Sequence, residues 1–182
     1  MKIGILNMQY SRHNYGALLQ AAALERMVRD ILPEAEVEHI DFRPRWLRPV
    51  PRFKALGIWG KRLIRGALGR CIKMPMIGNY HVFEDFRREH IQLTERIYYE
   101  EEIEKGNWDY DLVVVGSDQV FRIKYVKRMA EAFFLTFLPD SCRRFAYAAS
   151  FGVDRWESGD DAVFTSKVRV ALEQFYSISV RE

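Results

Sequence analysis

Apolar positions follow two different rhythms along the chain. Residues 2–8 open with Ile3, Ile5 and Leu6 before polar residues take over, the pattern of a short buried strand. A polar loop follows, and Asn14 is placed to cap a helix extending to about Asp30. Within it Ala17, Ala21, Leu24, Val28 and Ile31 recur at helical spacing and form one stripe. Pro33 stops the helix, and Val37, His39, Ile40 and Phe42 predict a second strand. Strand, helix and strand in such close succession make a βαβ unit, which favours a parallel sheet.

The middle of the chain is less regular. Pro44, Pro49 and Pro51 predict an extended connection over residues 43–52. Residues 53–73 place Trp59, Leu63, Ile64, Ala67 and Leu68 on the apolar side of one or two helices, weakened by four glycines. Residues 79–90 predict a helix with Val82, Phe83 and Phe86 inward. Leu112 and the three valines after it then form the unbroken apolar run of a central parallel strand. Residues 130–138 are apolar but of undecided type. A strand at 144–149, a helix at 162–175 and a strand at 176–180 complete the pattern. The chain therefore reads as α/β: a Rossmann-like, mainly parallel sheet of about five strands flanked by helices. Residues 1–182 read as one such domain, carrying a basic helical insertion at about residues 43–105.

Composition narrows the picture. With 48% apolar and 14% aromatic residues the chain has ample material for a core. Two cysteines, Cys71 and Cys142, are too few for a disulfide scaffold or a Cys-based zinc site, and no metal is expected. The longest stretch without a charge, from His13 to Leu24, is well short of the ~18 apolar residues of a membrane span. The opening residues lack the apolar region and cleavage site of a secretory leader, so a cytoplasmic protein is expected. A net charge of +3 gives no case for nucleic-acid binding. It conceals an asymmetry, however. From Arg43 to Lys73 there are ten basic residues and no acid, interleaved with Trp46, Phe53 and Trp59. Such a segment lies on an anionic membrane surface or binds polyanions, or else is a solvated helix face.

Candidate chemistry belongs at the carboxyl ends of the strands, where open parallel sheets bind ligands. After the first strand come His13, Asn14, Tyr15 and Gly16. Gly16 lies in the first helical turn, where its lack of a side chain either admits a ligand to free backbone N–H groups or permits tight helix–strand packing. His13 either binds a ligand or shuttles a proton, or is a structural or solvated histidine. His39 reads as structural, and His81 and His90 lack metal-ligand spacing. Gly116, Ser117, Asp118 and Gln119 follow the valine run and suit sugar hydroxyls or a general base. Ser150, in Ala148-Ala149-Ser150-Phe151-Gly152, mimics a nucleophile elbow. All four histidines precede it, which is the wrong order for that fold, so Ser150 reads as a hydrogen-bonding residue. Neither a dinucleotide fingerprint nor a P-loop occurs.

Four segments together resemble the polysaccharide pyruvyl transferase family. They are Ile3-Gly4-Ile5 with Asn14-Tyr15-Gly16-Ala17-Leu18-Leu19-Gln20, and residues 110–115 leading into Gly116-Ser117-Asp118-Gln119-Val120. Phe145-Ala146-Tyr147-Ala148-Ala149-Ser150-Phe151-Gly152 and Ile178-Ser179-Val180-Arg181-Glu182 complete the set. Phe121 stands where the family often has Trp. The resemblance implies transfer of pyruvate from phosphoenolpyruvate onto two hydroxyls of a sugar, as a cyclic ketal, with no further cofactor. The acceptor would be a cell-surface glycan or its lipid-linked oligosaccharide precursor, at the inner membrane face. Arg181 matches the family Arg expected to hold the donor, and its fork suits a carboxylate or phosphate. Asp118 is the candidate catalytic residue. Ser117, Gln119, Gly116, Ser150 and the turn from His13 to Gly16 would face the acceptor. The family resembles GT-B glycosyltransferases and continues into a second Rossmann-like domain, where its catalytic His is expected. Residues 1–182 would then be the N-terminal half, with Arg181 at a frayed end and donor binding weak. The competing readings are a glycosyltransferase-like domain using a nucleotide sugar, and a non-catalytic glycan- or membrane-binding module.

Overall fold

The computed structural model describes residues 1–48 and 80–181. Five strands form one sheet in the order β2-β1-β3-β4-β5, and every neighbouring pair is parallel. They are β1 (Lys2–Leu6), β2 (Glu36–His39), β3 (Leu112–Asp118), β4 (Arg143–Ala149) and β5 (Phe175–Val180). This is the expected α/β, Rossmann-like architecture. Both faces of the central strands are buried, which is why β3 carries no polar alternation. Ile3, Ile5 and Val114 face one cluster; Leu6, Val113 and Val115 face the other.

Helix α1 (Tyr15–Ile31) covers the first face. The Asn14 side chain accepts the Ala17 N–H at 3.3 Å, the capping bond its sequence position suggests. Ala17, Ala21, Leu24 and Val28 are buried as expected, but Ile31 is exposed, because the helix ends there and overhangs the sheet. Glu25 takes a buried place on the same helix. Its carboxylate lies 3.3 Å from Nε2 of the fully buried His39, accepts from Arg29 Nε, and receives the Gln92 N–H.

On the second face lie α4 (Ile123–Val126), α5 (Ala130–Phe133) and α6 (Ala162–Glu173). The undecided apolar stretch at 130–138 is thus a short helix followed by tight turns. Its turn carbonyls are satisfied by a buried arginine: Arg144 donates to Leu135 O at 3.2 Å and to Leu138 O at 2.6 Å. Phe121, the residue that departs from the family's Trp, is buried and stacked on Phe134 at 4.8 Å.

Helices α2 (Tyr80–His90) and α3 (Glu100–Lys105) lie within the expected insertion. The linking residues run beside β2, with isolated bridges His39 to Leu93 and Phe42 to Ile97, and Ile91 and Ile103 are buried. The inward side of α2 differs from expectation. Phe83 is buried, but Val82 is exposed and Arg87 is buried in its place. The expected helices over 53–73 lie outside the described residues, as do seven of the ten cations of the basic stretch. The three described ones have intramolecular contacts. Arg43 is buried between Asp41 and Glu84, Arg45 pairs with Glu100 and Glu101, and Arg48 donates to the Tyr99 hydroxyl. Arg43 is therefore a core residue and not a surface cation.

Beyond α1, on the same side of the sheet, β4 and β5 are uncovered by the described residues. Tyr147, Tyr176, Ile178 and Val180 are exposed there. No described helix is long and apolar enough to cross a membrane.

Candidate active site

The carboxyl ends of β3, β4 and β5 are stitched together by backbone hydrogen bonds. Asp118 pairs with Ala149 in register, and Ala149 with Val180. The Asp118 carbonyl accepts from Val120 N–H at 2.8 Å and from Ser150 N–H at 3.0 Å. Ser150 O accepts from Phe121 N–H at 3.2 Å, and Ala149 O from Arg181 N–H at 3.1 Å. These bonds bring Asp118, Ser150 and Arg181 to one edge although 63 residues separate the first from the last.

Two glycines make that convergence sterically feasible. Gly116 has φ +121°, and a Cβ there would lie 2.2 Å from Tyr147 O on the adjacent strand. Gly152 has φ +64°, and a Cβ there would meet the Gln119 side chain. Asp118 itself adopts φ +89°, a conformation that costs a non-glycine residue about 1–3 kcal/mol.

The side chains then divide into two groups. Ser117, Asp118 and Gln119 are half-buried at the rim, and the Arg181 guanidinium lies 3.8 Å from the Asp118 carboxylate. Arg181, expected at a frayed end, is thus held at its backbone by β4 and at its side chain by Asp118. Ser150 is fully buried, and its Oγ accepts the Gly152 N–H at 2.8 Å, so it shapes the loop. Gln119 accepts from Arg122 at 2.9 Å, and Arg122 in turn lies 4.4 Å over the Tyr125 ring.

The turn after β1 forms a separate group. His13 is exposed, with its N–H 3.4 Å from Ser11 Oγ. The Asn14 carboxamide is engaged in capping α1. Tyr15 stacks on Phe83 of α2 at 4.5 Å and so serves the α1–α2 contact. A Cβ on Gly16 would meet Asn14 Oδ1 at 3.0 Å, which ties that glycine to the cap and not to packing against a strand.

A buried ionic network that the sequence did not disclose supports this turn. Arg87 Nη1 donates to Gln9 O at 2.9 Å and to Ser11 O at 3.0 Å. Its Nη2 reaches Glu84, which also accepts from Arg43. Arg43 and Arg96 both donate to Asp41, and Gln9 Nε2 donates to Asp41 at 2.7 Å. Burial pushes the Glu84 carboxyl up, but Arg43, with Arg87 and Arg96, outweighs that and holds it below its ordinary value. Only the spacing of Arg87, four residues after the buried Phe83, hints at an inward position.

The rim thus sets a carboxylate able to accept a proton beside a guanidinium able to grip an anion. Among the described residues no group of three or more His, Cys, Asp or Glu side chains is arranged to hold a metal ion. No curated protein matches the chain, nor does any solved structure. The model of one family, polysaccharide pyruvyl transferase, matches residues 14–182, a span that takes in Asp118, Ser150 and Arg181. By that match, which covers most of its length, the chain belongs to the polysaccharide pyruvyl transferase family.

Proposed function

We propose that the protein contributes the Asp118–Arg181 rim to transfer of pyruvate from phosphoenolpyruvate to two hydroxyls of a glycan sugar. The observation that carries this reading is the pairing of Arg181 with Asp118 at 3.8 Å, at the strand ends, in a chain of this family. In the proposed reaction C3 of phosphoenolpyruvate takes a proton and C2 becomes electrophilic. One sugar hydroxyl attacks C2 and gives up its proton to a base, for which Asp118 is placed. Phosphate leaves, the second hydroxyl closes the ring with loss of its proton, and the products are a ketal and inorganic phosphate. Arg181 holds the donor's carboxylate or phosphate through its planar fork. The resemblance assigns the donor of the C3 proton to a second Rossmann-like domain, arranged as in GT-B folds. The acceptor in this reading is a cell-surface glycan or its lipid-linked precursor.

Donor binding is the test that needs no second domain. Titration calorimetry with phosphoenolpyruvate is expected to show weak, saturable binding, with Arg181→Lys weakening it about tenfold because the ammonium loses the bidentate geometry. Inorganic phosphate and pyruvate are expected to bind more weakly than the intact donor. Equal affinity in Arg181→Lys and the unsubstituted protein rejects the role given to Arg181.

A further inference from the structure

The loops after β3 and β4 meet across one side chain that lies outside the four motif segments. Arg122 follows β3 by four residues, and its side chain is only 18% exposed. Its Nη1 donates to Gln119 Oε1 at 2.9 Å, within its own loop. Its Nε lies 3.6 Å from Glu157 Oε1, on the loop after β4. The other Glu157 oxygen accepts the Lys124 N–H at 2.9 Å, so that carboxylate holds the Arg122 loop a second time. The guanidinium also covers the Tyr125 ring at 4.4 Å. One guanidinium can do all of this at once because it presents several N–H donors in a rigid fork and a flat face.

What Arg122 holds adjoins the rim. Gln119 follows Asp118 directly, and its amide oxygen rests on Gly152, where a Cβ would lie 2.3 Å away. The Gln119 side chain is therefore held between the Arg122 guanidinium and the backbone of the β4 loop. Asp118, one residue earlier, has φ +89°, and such a conformation persists only where the surroundings over-determine it. Pairing of β3 with β4 holds it from the N-terminal side, and the clasped Gln119 holds it from the C-terminal side. The Asp118–Arg181 pair, at 3.8 Å, is longer than a hydrogen bond. The carboxylate accordingly takes its direction from this backbone.

We propose that Arg122 is a positioning residue for pyruvyl transfer: through Gln119 it holds Asp118 in the conformation that aims its carboxylate at Arg181 and at the attacking sugar hydroxyl. The proposal rests on the pyruvyl-transfer reading and adds a residue that acts on the reaction without touching either substrate.

The test uses the 182-residue chain. Arg122→Met removes the donors and keeps much of the bulk, whereas Arg122→Lys keeps one donor for Gln119. 13C NMR of Asp-labelled protein reads Asp118 Cα and Cγ, which Asp118→Ala identifies by deleting them. Arg122→Met is expected to shift both signals, and Arg122→Lys to shift them less. Phosphoenolpyruvate is titrated into the same samples, and Arg122→Met is expected to weaken it about fivefold. In the Asp118→Ala background the same substitution is expected to leave donor affinity unchanged, because the residue through which Arg122 acts is gone. Val168→Ala, on the buried side of α6, controls for lost stability alone. It is expected to lower the urea midpoint and leave the Asp118 signals and donor affinity as they were. Unmoved Asp118 signals in Arg122→Met, or an undiminished loss of affinity in the Asp118→Ala background, overturns the proposal. Should Arg122→Met not fold, Arg122→Lys decides by the same two readings. If phosphoenolpyruvate binds none of the samples while the Asp118 signals still follow Arg122, the pyruvyl-transfer reading alone is overturned.

Discussion

Gly116 shows how a residue can be noticed for one reason and required for another. Its place after the valine run marked it as a site residue, yet its role is to let β3 pass Tyr147 with φ +121°. A backbone carbonyl cannot swing aside, whereas the Gln119 side chain facing Gly152 can. Gly116→Ala is therefore expected to lose at least about 2–3 kcal/mol of stability, and Gly152→Ala about 1–2 kcal/mol. Urea unfolding of the two variants checks the order. Asp118 and Arg181 were legible from the strand-end rule and the motif. Ser150 was legible as a hydrogen-bonding residue, but its complete burial was not, because burial of a loop residue depends on neighbours far away in sequence.

At the level of elements, β1, α1 and β3 could be read from periodicity alone, because each buries a regular face. Helix α2 could not. Its inward side is built from Phe83 and Arg87, and a pattern of apolar positions always assigns a guanidinium to the solvent. The acids that make its burial tolerable, Glu84 and Asp41, lie on α2 itself and just beyond β2. Arg87→Met leaves Glu84 with Arg43 and Arg96 but takes the donor from Gln9 O and Ser11 O, so it is expected to lose about 1–3 kcal/mol. The amide signals of residues 9–13 are expected to sharpen or shift as Gln9 O and Ser11 O lose their donor, an effect visible by NMR. Acid should weaken the same region. Glu25 and Glu84 both titrate below their ordinary value of about 4.5. For Glu25 burial raises the carboxyl, but His39, Arg29 and the Gln92 N–H together outweigh it. Groups shifted downward stabilise fully above the unfolded value, and the benefit is lost as pH falls through the folded values. Urea midpoints are therefore expected to be flat from pH 7 to about 5 and to drop below about 4.5, less steeply in Glu84→Gln.

At the scale of the whole molecule, the parallel order makes protection from hydrogen exchange uneven. β3 is bonded on both sides and buried on both faces, so its amides are expected to exchange slowest. β5 is bonded on one side and exposed along most of its length, and is expected to exchange fastest of the five strands. Uniform protection across the sheet would mean that β5 is covered in solution. The fold class could be read from the sequence because strand and helix signals alternate; the sheet order could not, since no local pattern states which strand lies beside β1.

That order has a consequence for biosynthesis. β1 has β2 for one neighbour, little more than a helix away, but its other neighbour is β3, whose approach is 109 residues distant. A ribosome adding about 5–20 residues per second needs roughly 5–20 s to cover that distance. Throughout that interval the nascent β1-α1-β2 unit carries Ile3 and Ile5 on a strand with one open edge, the arrangement most prone to pair with the wrong chain. β1 is thus the strand that waits longest for its second partner, and slow or paused translation between β2 and β3 lengthens the exposure in direct proportion.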